Sequence, residues 1–106
     1  MIHSTLRMEV PSAKVAEALE VLTPMVERIK VAAGCLSCHV YEDLLEKNVL
    51  MVEELWRTKE DLTRHLRSNE YRNVLLLMEM ALAPPEVRFS VIAESSGLET
   101  IEQARS

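Results

Sequence analysis

The chain has 106 residues, 48% of them hydrophobic, with two glycines and a net charge of −5. That length supports one hydrophobic core and leaves too little chain for a second. The acidic balance and the absence of a Lys/Arg cluster exclude a nucleic-acid or anionic-membrane surface, so the expected partners are small molecules or a second copy of the chain.

The first ten residues, MIHSTLRMEV, alternate in polarity and do not form an apolar run behind basic residues, and no stretch reaches transmembrane length. A cytoplasmic location is expected, in which Cys35 and Cys38 stay as thiols. Ile2, Ser4, Leu6, Met8 and Val10 share one side of a first strand that Pro11 ends. Ser12 is a candidate cap for a long helix whose stripe runs Val15, Leu19, Leu22, Val26, Ile29, with a kink expected at Pro24. Gly34 is placed to end it in the left-handed conformation.

A second strand over 35–43 and a polar turn over 44–48 lead into a third strand, Val49 to Trp56, as a hairpin. That third strand is apolar on both faces, and each face carries one charge, Glu53 or Glu54. Thr58 and Asp61 form a capping box for the next helix, on which Leu62, His65 and Leu66 point inward. Ser68 and Asn69 are expected to bend or break it, and a further helix over 71–82 stops at Pro84 and Pro85. Val87, Phe89 and Val91 mark a fourth strand, and Leu98, Ile101 and Ala104 a short closing helix.

The order β, α, β, β, α, β implies a ferredoxin-like α+β fold, an antiparallel sheet with its helices on one face. The expected domain covers 1–95, with 96–106 as a short helix or tail. Strand 3 would be central and apolar on both sides, so the open sheet face is expected to be buried by a second subunit.

Several stretches resemble the antibiotic biosynthesis monooxygenase family, whose members are dimeric α+β barrels. They are Gly34-Cys35-Leu36, the Glu-x-Trp of Glu54 and Trp56, and His65-Leu66-Arg67-Ser68, and the resemblance spans about Ile2 to Glu94. It implies a pocket between helices and sheet for a small hydrophobic aromatic ligand of phenolic or quinol type, oxidised by O₂ with no cofactor and no metal. It also implies His65 as the base or the orienting donor, Trp56, Glu54 and Ser4 at the substrate, and Glu54 fixing a neighbour such as Arg7. The haem-degrading branch is disfavoured, because Ser4 and Leu75 stand where it needs an asparagine and a histidine. The alternative within the same fold is a non-catalytic small-molecule-binding or stress-response dimer.

Cys35-Leu36-Ser37-Cys38-His39 also matches the C-x-x-C-H pattern of covalent haem attachment. On a regular strand residues three apart face opposite ways, which argues against shared chemistry for the two thiols. His3, His39 and His65 show no spacing suited to zinc. The plain alternatives are a core-edge His65 satisfied by a backbone carbonyl, a packing Trp56, and a Glu53/Glu54 pair of which one side chain snorkels or pairs with a basic residue across the dimer.

Overall fold

The computed structural model describes residues 1–106. Alternation along β1 (Ile2–Glu9) has its expected effect: Ile2, Ser4, Leu6 and Met8 are buried, while His3, Thr5 and Arg7 are only half covered on the other face. β1 pairs antiparallel with β3 (Val49–Trp56) and with β4 (Glu86–Val91), and β3 pairs with β2 (Cys35–Glu42). The sheet order is β2-β3-β1-β4, with β1 and β3 central as expected, and the fold is the ferredoxin-like α+β arrangement.

α1 (Val15–Lys30) runs through Pro24 without interruption. The expected Ser12 cap does not form: 12–14 make a separate 3-10 turn, and the Ser12 hydroxyl instead accepts from Asn48 Nδ2 at 2.8 Å. Ala18, Leu22, Met25, Val26 and Ile29 of α1 pack on Leu50, Val52 and Trp56 of β3 and on Leu6 and Met8 of β1. Each such side chain, fully buried, stabilises the fold by roughly 1.5–3 kcal/mol. The second helical region is split, as Ser68 suggested, into α2 (Lys59–Leu66) and α3 (Asn69–Met78). Ser68 caps α3 by accepting from the Tyr71 N–H at 3.3 Å. α3 stops four residues short of the expected end, and the Leu82 N–H bonds to Glu9 O at 2.9 Å instead of continuing the helix. α4 (Leu98–Ala104) forms where the closing helix was expected, but it closes nothing.

Gly34 adopts φ +81°, and a Cβ there would lie 2.0 Å from Asp61 Cγ, so both conformation and space require glycine. Directly after it the β2–β3 register slips between Cys35 and Ser37. This bulge overturns the opposite-facing assignment of the thiols: Cys35 pairs with Trp56 and Cys38 with Glu54, so both cysteines face the helices. Both are free, Cys38 is fully buried, and burial pushes its thiol up to about 12. Such a thiol is a small hydrophobe, not a nucleophile.

Candidate functional site

Glu54 and Trp56 lie two apart on β3 and therefore point the same way, under the helices. The Trp56 indole N–H donates to Glu54 Oε1 at 2.8 Å, and both side chains are buried. His65 reaches them from α2, whose start is set by Thr58: its hydroxyl oxygen accepts from the Asp61 N–H at 3.1 Å. The box differs from expectation in its second half, because the Asp61 carboxylate takes the Thr58 hydroxyl at 2.8 Å. That bond, followed by Arg64, holds the Asp61 carboxyl below the usual carboxylate range.

The His65 ring stacks on Trp56 with centroids 4.6 Å apart, and Tyr71 meets it edge-on at 5.4 Å. His65 Nε2 lies 3.6 Å from Glu54 Oε2, too far for a hydrogen bond and close enough for charge to matter. No backbone carbonyl satisfies this nitrogen. It is the one fully enclosed polar side-chain atom in the protein without a hydrogen-bond partner. Native interiors rarely leave such a donor or acceptor unpaired, since the cost is about 1–3 kcal/mol.

Glu54 is not matched to Arg7, because the register sets Ser4 opposite Glu54 and Met51 opposite Arg7. Arg7 pairs instead with Asp43 and Glu46 on the far face, and Glu53 accepts from His3 at 3.0 Å. Glu54 therefore has an indole and an imidazole as neighbours and no guanidinium. Burial, and then the Glu54 charge, raise the Tyr71 hydroxyl above the usual phenol range.

His65 and Trp56 border one cleft of about 210 Å³ between α1 and α2, with Ile29, Ala32 and Ala33 as its apolar wall beside Trp56. The Arg28–Glu70 pair joins α1 to α3 at its rim, Arg28 Nε lying 3.0 Å from each Glu70 oxygen. Ser4 and Glu54 lie elsewhere, on an interior hollow shared with Tyr71, Val74 and Val87. That hollow measures about 10 Å³, room for one water at most. A larger groove of about 760 Å³ follows the outside of α2, but it is open and has no hydrophobic lining. Leu75, half exposed on α3, faces neither hollow. No group of three His, Cys, Asp or Glu side chains is arranged to hold a metal ion, and no helix is long and apolar enough to cross a membrane.

Three residues around His65 and its cleft were given no role by the sequence reading. Tyr71 had a usable signal: a helix break at Ser68 turns the next helix back toward the first. Arg28 and Glu70, 42 positions apart, had none.

A four-stranded ferredoxin-like sheet that stacks an imidazole on an indole beneath its helices defines a small α+β protein with a potential ligand cleft. Residues 1–75 match the antibiotic biosynthesis monooxygenase family, and the chain belongs to it. Solved structures share the fold. A candidate antibiotic biosynthesis monooxygenase from Deinococcus radiodurans superposes with a TM-score of 0.84 at 17% identity, over 92% of this chain and 98% of its own. A conserved protein of Methanosarcina mazei does so at 0.78 and 24%, over 84% and 89%. A variant of SnoaB, a cofactor-independent oxygenase of Streptomyces nogalater, gives 0.75 and 14%, over 89% and 94%. No curated protein sequence matches the chain.

Proposed function

We propose that this protein is a cytoplasmic homodimer that oxidises a small phenolic or quinol-type aromatic with O₂ and needs no cofactor, His65 serving as base. Family membership supports the monooxygenase class. The observation that carries the residue assignment is the unpartnered, enclosed Nε2 of His65 beside the Glu54 carboxylate, on a ring that borders the cleft. A carboxylate at 3.6 Å suits an imidazole that gains a proton during reaction: the imidazolium would pair with Glu54 without moving another group. Trp56 supplies a flat wall held by its bond to Glu54, which makes Glu54 a positioning residue. The two free thiols fit a reducing compartment.

For a methylene activated by flanking phenolic rings, His65 takes one C–H proton and the carbanion passes an electron to O₂. Substrate radical and superoxide combine as a peroxide, which regains a proton, loses the second C–H proton and expels water. One oxygen atom remains as a carbonyl, so O₂ is the sole oxidant and the substrate carbon the reductant. The test is oxygen uptake with hydroquinones and anthrone-type phenols, corrected for autoxidation. His65→Ala should cut the rate by roughly 10²-fold or more, the usual contribution of a general base, while substrate still quenches Trp56 fluorescence. Equal rates for wild type and variant would remove the assigned role. Quenching without turnover in either protein would leave the binding-only reading, which the closed hollow at Ser4 and Glu54 favours.

A further inference from the structure

The cleft that His65 and Trp56 border measures about 210 Å³, whereas pockets that bury a whole small-molecule ligand measure roughly 300–1,000 Å³. It holds a ring and leaves the rest of the ligand outside. At one part of the rim the Arg28–Glu70 pair ties α1 to α3, with Arg28 Nη2 2.9 Å from Glu70 Oε1. Arg64 and Ser68 form another part, and the same two residues line the groove of about 760 Å³ along the outside of α2. Whatever projects from the cleft on that side enters the groove.

The groove differs from the cleft in chemistry. Ile29, Ala32 and Ala33 wall the cleft, while the groove has no hydrophobic lining and gathers Lys59, Arg64 and Arg67 around a single carboxylate, Glu60. These cations are spaced along α2 and its C-cap, so no basic run marks them in a chain of net charge −5. Arg64 is held by Asp61 at 2.9 Å, but Lys59 and Arg67 make no ion pair. An acidic protein that keeps two unpaired cations beside a third, at the mouth of an apolar cleft, is equipped to hold an anion there. The patch is too small for nucleic acid, whose binding draws on many phosphate contacts. We infer that the substrate is a hydroxylated aromatic ring carrying an anionic side arm, a carboxylate or a phosphate: the ring lies in the cleft with Trp56 and His65, and the arm lies in the groove on Lys59, Arg64 and Arg67. Arg64 and Arg67 can each present paired N–H donors to such an anion, and Lys59 adds a point charge. This deepens the reading of the cleft as a substrate site and rests on it.

Quenching of Trp56, the chain's only tryptophan, measures binding without turnover when oxygen is removed. Wild type should bind 2,5-dihydroxyphenylacetate about tenfold more tightly than its methyl ester, as a few exposed charge contacts allow, and the preference should shrink as salt rises. Lys59→Gln/Arg67→Gln should cut the preference to about twofold, the share of Arg64, which Asp61 already engages. Both substituted side chains are exposed and unpaired, so the variant should fold, which near-ultraviolet dichroism of Trp56 verifies. Glu60→Gln removes the groove's only carboxylate and should strengthen binding of the acid about twofold. 2,5-Dihydroxyphenyl phosphate decides between the two arms, the tighter of acid and phosphate naming it. Equal affinities of wild type for acid, phosphate and ester would overturn the anionic arm and leave the cleft as the site of a neutral ring. An undiminished preference in Lys59→Gln/Arg67→Gln would overturn the groove as its seat. Failure of every probe to quench would overturn the arm and the cleft reading together.

Discussion

The cluster under the helices and the arm beyond β4 break the same burial rule in opposite directions. At the first, a carboxylate, an imidazole and an indole N–H are buried, and one nitrogen is unpartnered; at the second, Leu98 and Ile101 face water. Burying polar groups costs stability, and exposing a stripe of apolar ones forgoes it. The cluster has a complete supporting shell in one subunit, with Trp56 fully enclosed and Glu54 bonded, so its anomaly points inward to chemistry. The arm is exposed along its whole length, so its anomaly lies at the surface. Perturbing the two regions should therefore give effects of different size and kind.

The largest effect belongs to Trp56→Ala. It empties the largest fully buried side chain of the core and strips Glu54 of its hydrogen-bond donor. Loss of a buried aromatic costs about 3–5 kcal/mol, and an unpaired buried carboxylate adds to that. Urea denaturation should show the folded state barely populated; a loss under about 1 kcal/mol would mean the cluster is not part of the core.

His65→Phe should act in the opposite direction. The substitution keeps an aromatic ring on Trp56 and deletes the unpartnered nitrogen. Removing such a group should raise unfolding free energy by about 1 kcal/mol while abolishing oxygen uptake. A marked loss of stability would mean that the imidazole is structural and that the Glu54 interaction outweighs the missing bond.

What the sequence reveals about each region follows from the range of the forces involved. The Thr58 cap, the left-handed Gly34, the shared face of Glu54 and Trp56 and the inward turn of His65 depend on residues within four positions of one another, so spacing discloses them. The partner of Glu54 depends on strand register, and three positions along β1 separate the buried Ser4 from Arg7 on the far face. The bulge at Cys35 and Ser37 directly follows Gly34, whose missing side chain leaves room for Asp61, 27 positions on. Spacing found α4 as a helix, yet could not show that its apolar stripe lacks a partner, because that depends on where the chain leaves β4.

Alkaline titration gives a smaller effect, confined to high pH. Burial raises the Cys38 thiol from 9.0 to about 12, so between those values the folded protein keeps a proton that the unfolded chain has released. This contribution is fully present below pH 9 and is lost as pH rises toward 12. Wild type should lose stability across that window, and Cys38→Ala, already weaker at neutral pH, should lose less. Parallel curves would show that the thiol titrates as if exposed.

The smallest effect should come from the arm, and it separates the two regions most cleanly. Leu98→Ala and Ile101→Ala remove apolar atoms that are largely exposed. Their unfolding free energies should match wild type within about 0.5 kcal/mol, as exposed substitutions do. A loss above about 1 kcal/mol would place the stripe against the rest of the chain, and the contrast between a buried cluster and an exposed arm would fail.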